Sequence, residues 1–176
     1  GAGVAQDLKT FASYNAGPHA LVCGMYPQIL LGEAGRVAYT SFLEVLLEGD
    51  GGAYLWHCTE GKDRAGFVSA LLECLMGATY DEVVADYMVT YYNYYGVEPG
   101  TDKYNAIANS NIIKTLQNAF GVEDLSKADL QKGAKGYMKA IGLTDAEITD
   151  LMVNLGYVAP VEPVTPSKPA TGDAGI

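Results

Sequence analysis

With 176 residues, 49% of them hydrophobic and 18% charged, the chain is long enough to bury one core and too apolar to remain disordered. Its formal net charge of −10 comes from acidic residues scattered along the chain, which argues against nonspecific nucleic-acid binding and offers no broad basic face to an anionic membrane. No apolar run approaches the roughly 20 residues of a membrane span. Three cysteines, Cys23, Cys58 and Cys74, and two histidines, His19 and His57, make neither a disulfide framework nor a zinc pattern, so no metal and no cofactor is expected.

The chain opens GAGVAQDLKTFASY, without methionine or signal peptide and as if inside a helix, which suggests a fragment of a longer protein. Asp7 to Tyr14 reads as the tail of that helix, closed by the turn NAGPH, with His19 a surface residue. Ala20 to Met25 is a short buried strand that takes in Cys23. Arg36 to Leu47 has helical spacing, with Ala38, Phe42, Val45 and Leu46 inward, and the run Gly49-Asp50-Gly51-Gly52 stops it. Ala53 to His57 reads as a buried strand by its length and aromatic content.

Val68, Leu71, Leu72 and Leu75 then keep helical spacing up to Gly77, with Cys74 a small buried hydrophobe among them. Thr79-Tyr80-Asp81-Glu82 is a capping box opening a helix that carries Val84, Tyr87, Met88 and Tyr91 inward and ends at Gly96. Its tyrosines, in DYMVTYYNYYG, read as core packing with hydroxyls at the edge rather than as a stacking surface for substrate. One further helix spans about Lys103 to Phe120, and short segments follow between Lys127 and Ile141. Thr144-Asp145-Ala146-Glu147 caps a last helix with Ile148, Leu151, Met152 and Leu155 inward and Gly156 after it.

Two strands around a helix, then four or five helices, predict an α/β fold: a parallel sheet with helices around it and a helix-rich C-terminal half. Two strands alone make no stable sheet, so the sheet is expected to be incomplete in this chain, its other strands upstream of Gly1. Residues 1–157 form the expected domain. Residues 158–176 hold four of the seven prolines and read as a linker.

The chemistry concentrates between strand and helix, in His57-Cys58-Thr59-Glu60-Gly61-Lys62-Asp63-Arg64-Ala65-Gly66. A loop entering a helix N-terminus turns successive backbone N–H groups toward one spot, where the helix dipole adds positive potential. Such a nest suits a tetrahedral anion, and Arg64 can hold two of its oxygens with a bidentate fork. The same potential lowers the pKa of Cys58, arranging a thiolate for attack on phosphorus. Gly61 and Gly66 let the backbone turn tightly and approach the ligand.

HCTEGKDRAG, with its cysteine and arginine in a Cys-x5-Arg frame, resembles the phosphate-binding loop of the protein tyrosine phosphatase superfamily. The GKDR form is similar to the bacterial branch whose loop reads HCxxGKDR[TS]G, which includes enzymes acting on phosphoproteins and on phosphoinositides. The resemblance extends over about Ala20 to Tyr157, DYMVTYYNYYGVEPG included. It implies hydrolysis of a phosphomonoester in a phosphorylated protein or phosphoinositide, through a phosphocysteine on Cys58 and without metal. Arg64 would bind phosphate and stabilise the transition state, His57 would support the low thiol pKa, and the amides from Thr59 to Arg64 (through Glu60, Gly61, Lys62 and Asp63) would cradle oxygens. Asp63 would be a candidate general acid, and Lys62 would suit a polyanionic substrate, against a structural ion pair as the plainer role.

Two positions depart from that pattern. The residue after the arginine is Ala65, not Thr or Ser, so hydrolysis of the intermediate is expected to be slowed. The stretch GMYPQILLGEAG, where many members carry an acid on a movable loop, has no aspartate and only Glu33. The acid is therefore Asp63, Glu33 or a residue upstream. The rival function is a catalytically weak or inactive pseudophosphatase that binds phosphorylated ligands through the same loop. A rhodanese-like sulfur transferase also uses a cysteine in such a loop, but spaced differently, and a structural Cys58 leaves His57, both glycines and the arginine unexplained.

At the C-terminal end, Lys168-Pro169-Ala170-Thr171-Gly172-Asp173 is similar to the Pro-x-Thr-Gly sorting signals of Gram-positive surface proteins, with lysine in place of leucine and a Pro/Thr-rich spacer before it. A secreted or wall-anchored location is slightly favoured over a cytoplasmic one, with an ordinary interdomain linker as the alternative.

Overall fold

The computed structural model describes residues 28–49, 52–58 and 60–159. The expected first helix tail, the strand Ala20–Met25, His19, Cys23, Thr59 and nearly all of the C-terminal linker lie outside them. The described part begins with a helical turn at 28–31 and continues through seven α-helices and one 3-10 turn.

Helix α1, Glu33–Leu47, begins three residues earlier than its spacing predicted. Its inward stripe is Tyr39, Phe42, Leu43 and Leu46, the i, i+3, i+4, i+7 set, not the stripe through Ala38 and Val45; Val45 is 56% exposed. Helix α2, Arg64–Leu75, buries Ala65, Phe67, Val68, Ala70, Leu71, Leu72, Cys74 and Leu75. A helix apolar around its whole girth belongs in the middle of a core. It packs against α3 (Tyr80–Tyr95), α5 (Asn111–Phe120) and α6 (Leu130–Ile141). Helix α1 lies across α6 and α7 (Asp145–Asn154).

Local signals set most boundaries. At the start of α3, Thr79 and Glu82 bond reciprocally, with the Thr79 N–H 2.7 Å from Glu82 Oε2 and the Glu82 N–H 3.3 Å from Thr79 Oγ1. Thr144 and Glu147 repeat that box at α7. Asp129 caps α6, which forms one continuous helix where only short segments were expected.

The single helix expected over 103–120 is two: α4, Asp102–Ala108, and α5, set apart at Asn109 and Ser110. Side chains there take over the carbonyls of the last turn, since Asn109 Nδ2 donates to Asn105 O (2.8 Å) and Ser110 Oγ to Ile107 O (3.0 Å). Asn111 then enters α5 at φ 46°, in the left-handed region.

Ala53–His57 carries neither helix nor strand pairing, and no strand occurs among the described residues. Leu55 is 92% exposed, where a buried strand was expected. A parallel strand acquires burial and ladder bonds only from neighbouring strands, and none lies within the described residues.

Candidate active site

Trp56 anchors the segment that delivers Cys58. Its indole Nε1 donates to Ser69 Oγ on α2 at 3.3 Å, and its ring meets Phe42 of α1 edge-on at 5.7 Å. Two residues later Cys58 sits, half-buried, before the N-terminal end of α2. Gly61 makes the turn into the helix at φ 77°, which a side chain would strain. Gly66 is different: an added Cβ would lie 3.5 Å from Gly61 O and 3.7 Å from the Tyr87 ring, in ordinary contact.

Burial pushes the Cys58 thiol up, but backbone N–H groups of Ala65, Glu60, Gly61 and Asp63 reach its sulfur and together hold the pKa below that of an ordinary cysteine. Four donors converging on one sulfur at a helix N-terminus stabilise a thiolate. Cys74 is the contrast, fully buried, with burial and then Glu73 pushing its thiol up to about 12. Arg64 opens α2 with its side chain at the surface, and its carbonyl accepts from the Tyr39 hydroxyl at 3.5 Å. His57 is exposed, with Nδ1 3.3 Å from the Cys58 carbonyl oxygen, so its contact is to the backbone of Cys58.

Behind the cysteine, the loop's charged side chains turn inward. Lys62 Nζ lies 2.7 Å from Asp63 Oδ2 and 3.2 Å from Glu60 Oε2, and 5.9 Å from the centre of the Tyr91 ring. Burial would lower the Lys62 pKa, but Tyr91, Asp63 and Glu60 outweigh it and hold the ammonium charged well above its usual range. The second Asp63 oxygen, Oδ1, accepts from Asn111 Nδ2 at 2.7 Å, and the same amide lies 3.3 Å from the Tyr87 hydroxyl. Tyr87 and Tyr91 hydroxyls are 3.2 Å apart, and Tyr95 donates to Glu60 Oε2 at 3.0 Å. Burial first, and then neighbouring phenols and carboxylates, push the pKa values of Tyr87 and Tyr95 up, so both remain hydrogen-bond donors.

Sequence reasoning assembled the loop but missed Asn111, Tyr87, Tyr91 and Tyr95. The tyrosines carry one signal that could have found them: positions 87, 91 and 95 follow the i, i+4, i+8 row of one helix face. Glu33 lies elsewhere, in the first turn of α1, lining a cavity of about 440 Å³ with Arg36, Thr40, Glu44 and Ile141 and none of the described loop residues. A second cavity, of about 130 Å³, backs onto Gly61, Lys62 and Gly66 and holds the carboxyls of Glu73 and Asp86. Burial, followed by the Asp86 charge, pushes Glu73 up to about 8. Among the described residues, no group of three or more metal-ligating side chains occurs, and no helix is long and apolar enough to cross a membrane.

The model of the tyrosine phosphatase family matches residues 4–156. A tyrosine-protein phosphatase of Nostoc commune is 31% identical over 127 residues, covering 60% of this chain and 40% of that protein. A chain of Cupriavidus necator named for a tyrosine-protein phosphatase is 38% identical over 53 residues, covering 30% of this chain and 19% of its own length. The chain thus spans less than half the length of each relative it matches. No solved structure matches it.

Proposed function

This chain belongs to the tyrosine phosphatase family, and on that premise we propose that it carries the nucleophile-bearing part of an enzyme that hydrolyses phosphomonoesters through Cys58. The supporting observation is the placement of Cys58 before the N-terminal end of α2, on the segment that Trp56 anchors to Ser69, with backbone N–H groups of residues 60–65 holding its thiol pKa down. The thiolate attacks phosphorus, the bond to the ester oxygen breaks, and the leaving oxygen takes a proton from the acid. Water, giving a proton to the conjugate base of that acid, then attacks the phosphocysteine, and Cys58 departs as thiolate. Arg64 and the amides of residues 59–64 neutralise charge on the equatorial oxygens in both steps.

Asp63 is better suited to holding the loop than to giving a proton. Both its oxygens accept, one from the Lys62 ammonium and one from the Asn111 amide, so each is already engaged within the protein. With Glu33 lining a different cavity, we assign the acid to a residue outside the 57–66 loop. Lys62 is occupied by two carboxylates, which removes the feature that favoured a polyanionic phosphoinositide. A phosphorylated protein is the preferred substrate, in keeping with the family. The Pro/Thr-rich tail favours a surface location.

The test is phosphate release from an aryl phosphate with an acidic phenol, which leaves without help from a general acid. The full chain should turn it over, and Cys58→Ser should lose roughly 10⁴-fold or more. Ala65 is buried and supplies no hydroxyl, so a burst of phenol before the steady state is expected, and Ala65→Thr should accelerate the steady state. Phosphate or vanadate binding that depends on Arg64, with no turnover, would instead identify a phospho-ligand binding module.

A further inference from the structure

Asp63 occupies the N-cap position of α2, yet its carboxylate makes no capping bond to its own helix. Its backbone, at φ −102° and ψ −80°, is off the extended form in which Thr79 and Thr144 cap their helices. An extended aspartate at this position accepts from the N–H groups two or three residues on. Those belong to Ala65 and Gly66 here, and the Ala65 N–H contributes most to holding the Cys58 thiol down. An Asp63 released to turn extended is therefore an intramolecular competitor for the donor the nucleophile uses.

What draws it away lies 48 residues along the chain. Asn111 is 1% exposed and stands at φ 46°, the one non-glycine residue at positive φ among those described. Its carbonyl accepts from Thr115 Oγ1 at 2.9 Å, and its amide nitrogen meets Asp63 Oδ1 at 2.7 Å. The residue is thus held through its backbone carbonyl on one side and its side-chain amide nitrogen on the other. The other groups around Asp63 are Lys62 and Glu60 of the loop and Tyr87 and Tyr91 of α3; His57 and Arg64 flank the cysteine side.

We propose that Asn111 is a positioning residue: it holds the Asp63 carboxylate back from the first turn of α2 and so reserves the Ala65 N–H for the Cys58 thiolate and for bound phosphate. The inference rests on Cys58 being the nucleophile, but it is tested without turnover. In the full chain, iodoacetamide modification of Cys58 is followed against pH by mass spectrometry of the Cys58 peptide, in wild type, Asn111→Ala, Asn111→Gly and Asn111→Ala/Asp63→Ala. Inorganic phosphate binding and thermal midpoints are measured alongside.

In both single variants the titration midpoint of Cys58 should rise and phosphate affinity should fall roughly tenfold, as expected when a charged acceptor takes a donor. Removing the competing carboxylate in the double variant should bring both back toward wild type, a rescue that a merely structural asparagine does not give. Asn111→Gly relieves the left-handed backbone, so a folded protein is at hand if the alanine variant fails. An unchanged Cys58 midpoint in Asn111→Gly, or a double variant no better than the single, overturns the proposal. Absence of phosphate release from wild type would count against the proposed reaction and leave this titration readable.

Discussion

On its front, the loop between Cys58 and Arg64 offers backbone: N–H groups of Glu60, Gly61, Asp63 and Ala65 turn toward one sulfur. On its rear it offers side chains, with Glu60, Lys62 and Asp63 locked against Tyr91 and Tyr95 of α3 and Asn111 of α5. Each side performs what the other could not. Backbone donors are fixed by the chain path and stay in place when an anion comes or goes, which suits a site that must bind charge without reorganising. Side chains reach further, and ionic groups lacking water need such partners close at hand. The loop is shaped by its own backbone and held in shape by side chains of α3 and α5.

The sharpest separation of the two sides is expected from Arg64→Lys. Lysine keeps the charge but loses the planar fork, so kcat/KM should fall roughly 100-fold while the melting temperature hardly moves. Equal loss of stability would mean that Arg64 belongs to the supporting side.

Asp63→Asn should show the reverse. Removing a buried partner of Lys62 should cost about 3 kcal/mol of stability, read by denaturant titration. Its effect on turnover should be the same for aryl phosphates with acidic phenols and for alkyl phosphates. A loss confined to poor leaving groups would make Asp63 the acid after all.

A smaller effect is expected from the cavity behind the loop. Glu73 carries its proton up to about pH 8 when folded, whereas an unfolded glutamate releases it near 4.5. The folded state therefore binds that proton more tightly, and the contribution of Glu73 to stability is greatest below about 4.5 and declines as pH rises toward about 8. Glu73→Gln should flatten that decline, seen as a thermal midpoint less dependent on pH between those limits. Least of all, Tyr95→Phe removes one hydrogen bond to Glu60 and should cost about 1 kcal/mol or less with kcat nearly intact. A large fall in kcat would show that Glu60 sets the front of the loop as well as its rear.

What the amino-acid order disclosed follows the same division. Cys58, Gly61 and Arg64 lie within seven consecutive residues, so a local motif singles them out as candidates. Thr79 with Glu82, and Thr144 with Glu147, are local too, and both capping boxes form. Asn111 reaches Asp63 across 48 positions, and no periodicity carries such a pairing. The break before α5 was hidden because isoleucine and leucine continue the helical spacing through it, while the deciding bonds come from Asn109 and Ser110. In α1 an alternative apolar stripe through Val45 competed with the true one, and only the partners, α6, α7 and Trp56, choose between them. The segment at 53–57 poses the same problem more strongly, since a strand is defined by its neighbours.

Helix α2 has a double membership: its N-terminal end borders the cysteine, and the row Phe67, Leu71 and Leu75 along its length is almost wholly enclosed. Its amides beyond the first turn should exchange with solvent deuterium only when the whole described unit opens. Loss of the proposed phosphate site and cooperative unfolding then become one event, so phosphate binding measured along a denaturation curve should fall in step with helicity, with no folded but empty-handed species between.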